Sequence, residues 1–342
     1  MKKILVTGGL GFIGSHTVVA LQNQGYEVVI IDNLSNSTEA VLEGIKMITG
    51  VLPYFEKIDL RDKIALANFL KSNTDIDGVI HFAASKAVGE SVLQPLHYYE
   101  NNINSLVNLL LEVSQLNKPI EFIFSSSCTV YGQADIMPIK EDSPVKIPES
   151  PYGNTKQIGE EILKDLSAVN NNIHIILLRY FNPIGAHPSL EIGELPLGKP
   201  QNLVPFITQT AAGLHDKLTV FGDDYPTVDG TCVRDYIDVV DLAAAHVEAL
   251  NRLLKNQNDS NFEMYNLGSG KGSTVLEVIK SFEKVAEISL NYEIGSRRSG
   301  DVISAFADTS LANKKLGWKT QVSLDESVLN AWNWEKKIRG IK

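Results

Sequence analysis

The sequence predicts an α/β protein: a doubly wound parallel sheet with a smaller C-terminal α/β lobe. Three observations carry this. Short apolar runs alternate with helix-length amphipathic stretches through the first half, a glycine-rich turn follows the first run, and the alternation breaks down after about residue 181. Buried parallel strands read as short β-branched or aromatic runs. Residues 3–6, 27–31, 77–82, 121–124 and 173–178 have that character. Residues 11–24, 38–49, 61–71, 91–117 and 152–170 carry apolar side chains at three-to-four spacing and read as helices, with start signals at Asp59-Leu60-Arg61 and Ser150-Pro151. Such alternation implies right-handed βαβ crossovers. Proline and glycine then punctuate residues 182–205, as expected of an appended lobe. The boundary is drawn between 1–181, a nucleotide-binding unit, and 182–342, a substrate lobe. Residues 238–254 and 264–267 read as a helix and a strand, so the segment 238–267 can return to the first sheet.

The chain has 342 residues, 44% hydrophobic and 21% charged, which excludes disorder and fibres. With 31 Lys+Arg against 41 Asp+Glu the formal charge is −10, so no general nucleic-acid footprint is present and an anionic ligand must be met by local cations. Cys128 and Cys232 are too few for a disulfide framework or a structural metal site, which fits a reducing compartment. Glycines end the first apolar run too early for a signal peptide, and no later run approaches a membrane span. The expectation is a cytoplasmic protein with no membrane or nucleic-acid partner and no metal.

Thr7-Gly8-Gly9-Leu10-Gly11-Phe12-Ile13-Gly14 follows the first strand and opens a helix. Backbone free of side chains can approach a pyrophosphate there, at a helix N-terminus, as in Rossmann-type sheets. The second strand ends in Asp32, about twenty residues on, where a carboxylate accepts both ribose hydroxyls of an adenosine. That carboxylate repels a 2′-phosphate, and Asn33-Leu34-Ser35-Asn36-Ser37 offers no arginine to hold one, so the cofactor expected is NAD. Asp59-Leu60 is placed either to meet the adenine edge or to cap a helix.

Tyr152 and Lys156 stand four residues apart on one helical face. A tyrosine with pKa near 10 becomes a base at neutral pH only if the phenolate is favoured, and a nearby ammonium and a positive nicotinamide both favour it. A shift of about three units takes roughly 4 kcal/mol. Among eleven tyrosines the Tyr-x-x-x-Lys spacing alone is weak. Ser125-Ser126-Ser127 strengthens it, since hydroxyls at a strand's carboxyl end sit where open sheets bind ligands. Ser127 is the best placed to bond a reacting oxygen. His81 reads as a satisfied structural histidine. Lys271 lacks the Ser/Thr and glycine spacing of a P-loop.

The glycine turn, Ser127 and the Tyr152/Lys156 pair resemble the extended short-chain dehydrogenase/reductases. The strings HFAASKAVGES from His81, SSSCTVYG from Ser125, LRYFNPIGAHP from Leu178 and VRDYI from Val233 narrow this to a resemblance to the UDP-glucose 4-epimerase family across residues 3 to 335. The resemblance implies interconversion of UDP-glucose and UDP-galactose: Tyr152 takes the 4-hydroxyl proton, directly or through Ser127, while hydride passes from C4 to NAD. Lys156 holds the nicotinamide ribose, the 4-keto sugar turns, and hydride returns to its other face. Implied NAD contacts are Gly8, Gly11, Phe12, Ile13, Gly14, Asp32, Asn33, Leu34, Ser35, Asn36, Ser37, Asp59, Leu60, Phe82, Ala83, Lys86, Asn101, Ser127, Tyr152, Lys156 and Phe181. Implied UDP-hexose contacts are Ser127, Tyr152, Asn182, Asn202, Leu203, Val220, Phe221, Arg234, Arg298 and Ala305. In this family a small residue at the position matching Ala305 goes with turnover of the N-acetylated sugars UDP-GlcNAc and UDP-GalNAc; a plain buried alanine is the alternative.

Arg234 and Arg298 have the fork suited to a diphosphate, or else pair with Asp235 or Asp301. Family members pair helices into a homodimer, for which residues 91–117, with Leu106, Leu109, Leu110 and Val113, and the helix from Tyr152 are the candidate surface, burial within the monomer explaining some of these side chains equally well. Departures are Ser85 for leucine, Cys128 for alanine and Asp238 for histidine. The nearest rival, a 4,6-dehydratase, needs an Asp-Glu pair where Cys128-Thr129 stand. A uronate epimerase needs one added carboxylate contact, and an NAD-sensing regulator needs neither Tyr152 nor Lys156.

Overall fold

The computed structural model describes residues 1–298 and 300–341. Its strands are β1 (Lys3–Thr7), β2 (Glu27–Asp32), β3 (Tyr54–Lys57), β4 (Gly78–His81), β5 (Ile120–Ser127), β6 (Ile173–Tyr180), β7 (Asn182–Ile184), β8 (Leu218–Phe221), β9 (Val233–Asp238), β10 (Phe262–Leu267), β11 (Gly272–Thr274), β12 (Tyr292–Gly295) and β13 (Ser304–Ala305). Its helices are α1 (Phe12–Asn23), α2 (Ala40–Thr49), α3 (Lys63–Ser72), α4 (Val88–Leu93), α5 (Pro95–Val113), α6 (Pro151–Val169), α7 (Leu203–Ala211), α8 (Val239–Leu254), α9 (Val275–Ala286), α10 (Ser310–Leu316) and α11 (Leu324–Arg339).

Among the described residues, seven parallel strands form the main sheet in the order β10-β6-β5-β4-β1-β2-β3. The order reverses beside β1, and β1 and β4 diverge there to send their following segments to opposite sides, which opens a crevice at their carboxyl ends. One apolar layer joins Ile4, Val6 and Ile30 to α1 and α8; the other joins Leu5, Val79 and Phe122 to α3, α5 and α6. β3 reads Tyr-Phe-Glu-Lys, a half-exposed pattern typical of a sheet edge, which is why its residues are not an apolar run.

Two predicted segments come out differently. Residues 91–117 are not one helix: the chain breaks at Gln94, whose φ of −131° and ψ of 56° lie outside the helical region. Pro95 excludes helical geometry from the residue before it and restarts the helix as its own first residue. Asp59 does not cap α3, because Asp62 does, accepting from Ile64 N at 3.1 Å and Ala65 N at 3.0 Å. At α6 the start signal acts as read, with the Ser150 hydroxyl accepting from Gly153 N at 3.2 Å ahead of Pro151.

After β6 the chain leaves the sheet, and β7, β11 and β13 all pair with β9, while β8 pairs with β12. These carry a separate core of Val204, Ile207, Val278, Phe282, Val328 and Trp332. Between these excursions α8 packs on α1, and β10 pairs with Ile175–Tyr180 of β6. No helix among the described residues is long and apolar enough to cross a membrane, and none of their acidic, His and Cys groups cluster to hold a metal.

Candidate active site

The glycine turn is shaped by contact as well as by torsion. Gly8 has φ +70°, donates its N–H to Ile31 O at 2.7 Å, and a Cβ there would meet Ala83 N at 2.8 Å. A Cβ on Gly14 would lie 2.3 Å from Gly8 O, so the helix can approach the turn only as glycine. Gly11 caps α1 without a side-chain bond, and the first turn holds no acidic residue, leaving the positive helix end clear for a phosphate.

Asp32 is buried and fixed: Oδ2 accepts from Leu10 N at 3.1 Å, and Oδ1 accepts from Leu34 N and the Ser37 hydroxyl, both at 2.9 Å. Asn33 bonds Asp59 Oδ2 at 3.1 Å, and Arg61 holds the same carboxylate with Nε at 3.0 Å and Nη2 at 2.8 Å. The Arg61 hydrogen bond chiefly keeps Asp59 well below the usual carboxylate range. A fixed carboxylate, the Asn33–Asp59–Arg61 cluster and a bare helix start thus line one end of the crevice. These residues fit a dinucleotide.

Strand β5 carries the three serines to the middle of the crevice and gives each a different partner. Ser125 Oγ bonds the Tyr180 hydroxyl, and the Ser126 hydroxyl donates to Glu160 on α6. Ser127 Oγ accepts from Thr129 N at 3.2 Å and Thr129 Oγ1 at 3.0 Å, so its own hydrogen is left to donate elsewhere. Lys156 donates to the carbonyl of Ser125 at 2.6 Å and lies 5.0 Å from the Phe124 ring and 5.9 Å from the Tyr152 ring.

The protein's own charges do not favour the phenolate. Burial, then Tyr180, pushes the Tyr152 phenol above its ordinary range, and the Ser127 hydroxyl acts in the opposite direction. Burial pushes Lys156 down to about 8 while Glu160 pushes it back up. The shift expected from two cations, the ammonium and a positive nicotinamide, is thus not produced by the protein's own groups. His81 is buried, bonded to Thr7 Oγ1 at 2.8 Å, and pushed by burial down to about 3. It is a neutral structural group.

Lys86 reaches Glu194 at 3.3 Å, and Asn202, ahead of α7, donates to the same carboxylate oxygen at 2.9 Å. Asn101 donates to Ser85 Oγ at 3.2 Å. Arg234 and Arg298 converge on Asp301, at 3.5 and 2.8 Å. Asp235 is not their partner. It is buried and accepts from Ser269, Gly270 and Ala307. Phe221 is exposed beside Arg298, whereas the Val220 side chain is buried in the lobe core. Leu203 packs on that same core. Ala305 is 6% exposed, pairs with Arg234 across β13 and β9, and clusters with Phe181, Val130 and Tyr131. Phe82 lies 4.7 Å from the His246 ring.

Glu160, Arg179, Tyr180 and Thr129 escaped the sequence reading. The signal for Glu160 was available, since it follows Lys156 by one helical turn. Arg179 and Tyr180 depend on strand pairing that no local pattern encodes, whereas Thr129 meets Ser127 in the turn two residues on.

The family described as GDP-mannose 4,6 dehydratase matches residues 5–330. The curated UDP-glucose 4-epimerase of Bacillus subtilis (strain 168) is 48% identical over 340 residues, 99% of this chain and 98% of that protein. Among solved structures, UDP-glucose-4-epimerase from Stenotrophomonas maltophila, with bound NAD and formylated UDP-arabinopyranose, superposes with TM-score 0.95 at 46% identity, covering all of both chains. UDP-glucose 4-epimerase from Bifidobacterium longum, in complex with NAD+ and UDP, does so with TM-score 0.94 at 44% identity, again covering all of both chains.

Proposed function

The chain belongs to the UDP-glucose 4-epimerase family of extended short-chain dehydrogenase/reductases, and from that premise we propose that it binds NAD and interconverts UDP-glucose and UDP-galactose in the cytoplasm. The observation that carries this reading is the tie between α6 and β5: Lys156 is anchored to the strand that presents Ser127, and Tyr152 stands one turn away on the same helix.

Held by the glycine turn, Asp32 and Lys156, NAD would supply a reversible hydride acceptor for C4 of the sugar. Tyr152 accepts the 4-hydroxyl proton and later returns it to the inverted centre. Both lone-pair directions of Ser127 are taken by Thr129, which favours Ser127 as a donor to the sugar oxygen over Ser127 as a relay, and so favours direct transfer to Tyr152. Lys156 orients the nicotinamide ribose and, with the positive ring, offsets the burial that holds the phenol up. Arg234 and Arg298 exchange part of their bond to Asp301 for the diphosphate, keeping the nucleotide fixed while the 4-keto sugar turns.

Dehydration is disfavoured at this site. Cys128 is pushed by burial up to about 12, and Thr129 is committed to Ser127, so the pair supplies neither acid nor base for loss of water. Turnover of UDP-galactose, UDP-N-acetylgalactosamine and UDP-glucuronate, measured side by side, tests the substrate. 4-Deuterated UDP-galactose should give product that keeps deuterium at C4; complete loss to solvent refutes internal hydride return.

The candidate dimer surface needs revision. Leu106, Leu109, Leu110 and Val113 are buried in the monomer against β5 and α6, while Val92, Leu93, Leu96 and Leu111 are exposed on α4 and α5. The exposed set supports homodimer pairing through these helices.

A further inference from the structure

One turn beyond Lys156, α6 carries Glu160, a buried carboxylate that the reaction outlined above leaves unused. Arg179 on β6 grips it at both oxygens, Nε to Oε1 at 2.8 Å and Nη2 to Oε2 at 2.5 Å. The Ser126 hydroxyl donates to Oε1 at 2.5 Å. Arg179 also donates to the Tyr131 hydroxyl at 2.9 Å, and Tyr131 donates to Asn266 at 2.7 Å, so the network is fully partnered. A buried ion pair is seldom needed for stability, because apolar side chains of similar volume serve as well or better. Its place under the catalytic pair therefore calls for a reason.

We propose that Glu160 is a positioning residue for epimerisation: gripped by Arg179, it pins through Ser126 the strand end that presents Ser127, and it sets a negative charge one helical turn from Lys156. This rests on the roles given above to Tyr152 and Lys156. Ser126 lies between Ser125, whose carbonyl holds the Lys156 ammonium, and Ser127, so one side chain fixes both neighbours. The groups around Lys156 are Tyr152 and Glu160 on α6, the Ser125 carbonyl and Phe124 ring on β5, His81 on β4, held neutral by burial, and Tyr180 on β6, reached through Ser125. Glu160 is the one carboxylate among them, and it opposes the burial that would discharge Lys156.

The test is the pH dependence of kcat on UDP-galactose for the NAD-loaded wild type, Glu160→Gln and Arg179→Met. In Glu160→Gln the alkaline limb should move down by about one to two pH units and kcat at pH 8 should fall at least about tenfold, with KM within about threefold. Arg179→Met, which leaves Glu160 facing Lys156 alone, should not move the limb down. A folded Glu160→Gln whose limb matches wild type, or a downward shift shared by both variants, overturns the proposal. Should Glu160→Gln fail to fold, Glu160→Leu/Arg179→Met removes both charges and the acceptor of the Ser126 hydroxyl together. It should lose at least about tenfold in kcat through release of Ser126, at unchanged KM. Wild-type kcat in that folded double variant also overturns it. A wild type that turns over no UDP-hexose refutes the epimerase reading itself and the proposal with it, whereas unmoved limbs in an active enzyme refute only the role of Glu160.

Discussion

Replacing Ala305 by tyrosine probes how the pocket admits the sugar's 2-substituent. Ala305 lies opposite Arg234 in the β13/β9 register and packs with Phe181, whose neighbour Asn182 is an expected sugar contact. A phenol ring placed there has two exits: into the cluster of Val130, Tyr131 and Phe181, or into the volume the sugar sweeps. The cluster is close-packed, with Val130 and Tyr131 fully buried, so the ring is directed toward the sugar. An acetamido group carries three more heavy atoms than a hydroxyl, and forcing such volume into a filled site costs on the order of 1 to 3 kcal/mol. At about 1.4 kcal/mol per tenfold, Ala305→Tyr should lower kcat/KM for UDP-N-acetylgalactosamine by roughly five- to 150-fold. UDP-galactose should change by less than about threefold. The assay is kcat/KM for both sugars on wild type and variant, with a thermal melt to exclude unfolding. No wild-type activity on the N-acetyl sugar, or an equal loss on both, would sink the reasoning and leave Ala305 a small core residue.

Three further outcomes follow from the geometry. Tyr152→Phe removes one phenol oxygen and should keep NAD and nucleotide-sugar binding while losing about 10²- to 10⁴-fold in kcat; turnover near wild type rejects Tyr152 as the base. Burial, only partly offset by hydrogen bonds from Ser327 and Val240, raises Asp238 to about 6. The folded protein therefore binds the extra proton between about pH 4 and 6, and the stability this gives is full below that window and lost as pH rises through it, up to about 3 kcal/mol. Asp238→Asn should raise Tm more at pH 7.5 than at pH 4.5, and an equal gain at both would refute the linkage. Finally, sedimentation at micromolar concentration should show a dimer that Leu93→Asp/Leu96→Asp dissociates, while a wild-type monomer counts against the α4/α5 surface.

The sheet was legible, β3 apart, because its other strands are local apolar runs and its glycine turn is a local string. Gly8, Gly14 and Asp32 sit where spacing alone put them. Spacing also found Tyr152 and Lys156, one turn apart. It singled out Ser127 from three adjacent serines by its place at the strand end, and could not show that Tyr180 on β6 and Glu160 on α6 engage the other two. The helix break at Gln94 was readable from Pro95 and was passed over in favour of a long periodic pattern. Burial of Leu106, Leu109, Leu110 and Val113 was ambiguous in sequence, since a core face and a subunit face carry the same apolar spacing.

The pairing of β10 with β6 sets an order on the birth of the protein. As the chain emerges from the ribosome, β6 is complete at Tyr180, yet the strand that covers its outer edge begins only at Phe262. For the eighty or so intervening residues, at about 5–20 residues per second, the nascent sheet carries an open, strongly apolar edge for several seconds. During that interval residues 173–180 present an unpaired apolar strand edge, open to wrong pairing. The same arithmetic applies to anyone who would shorten the gene. A fragment ending at residue 181 keeps the whole glycine turn and Asp32, but it exposes Ile175, Leu177 and their neighbours along an unsealed border, a template for aggregation in place of a compact nucleotide carrier.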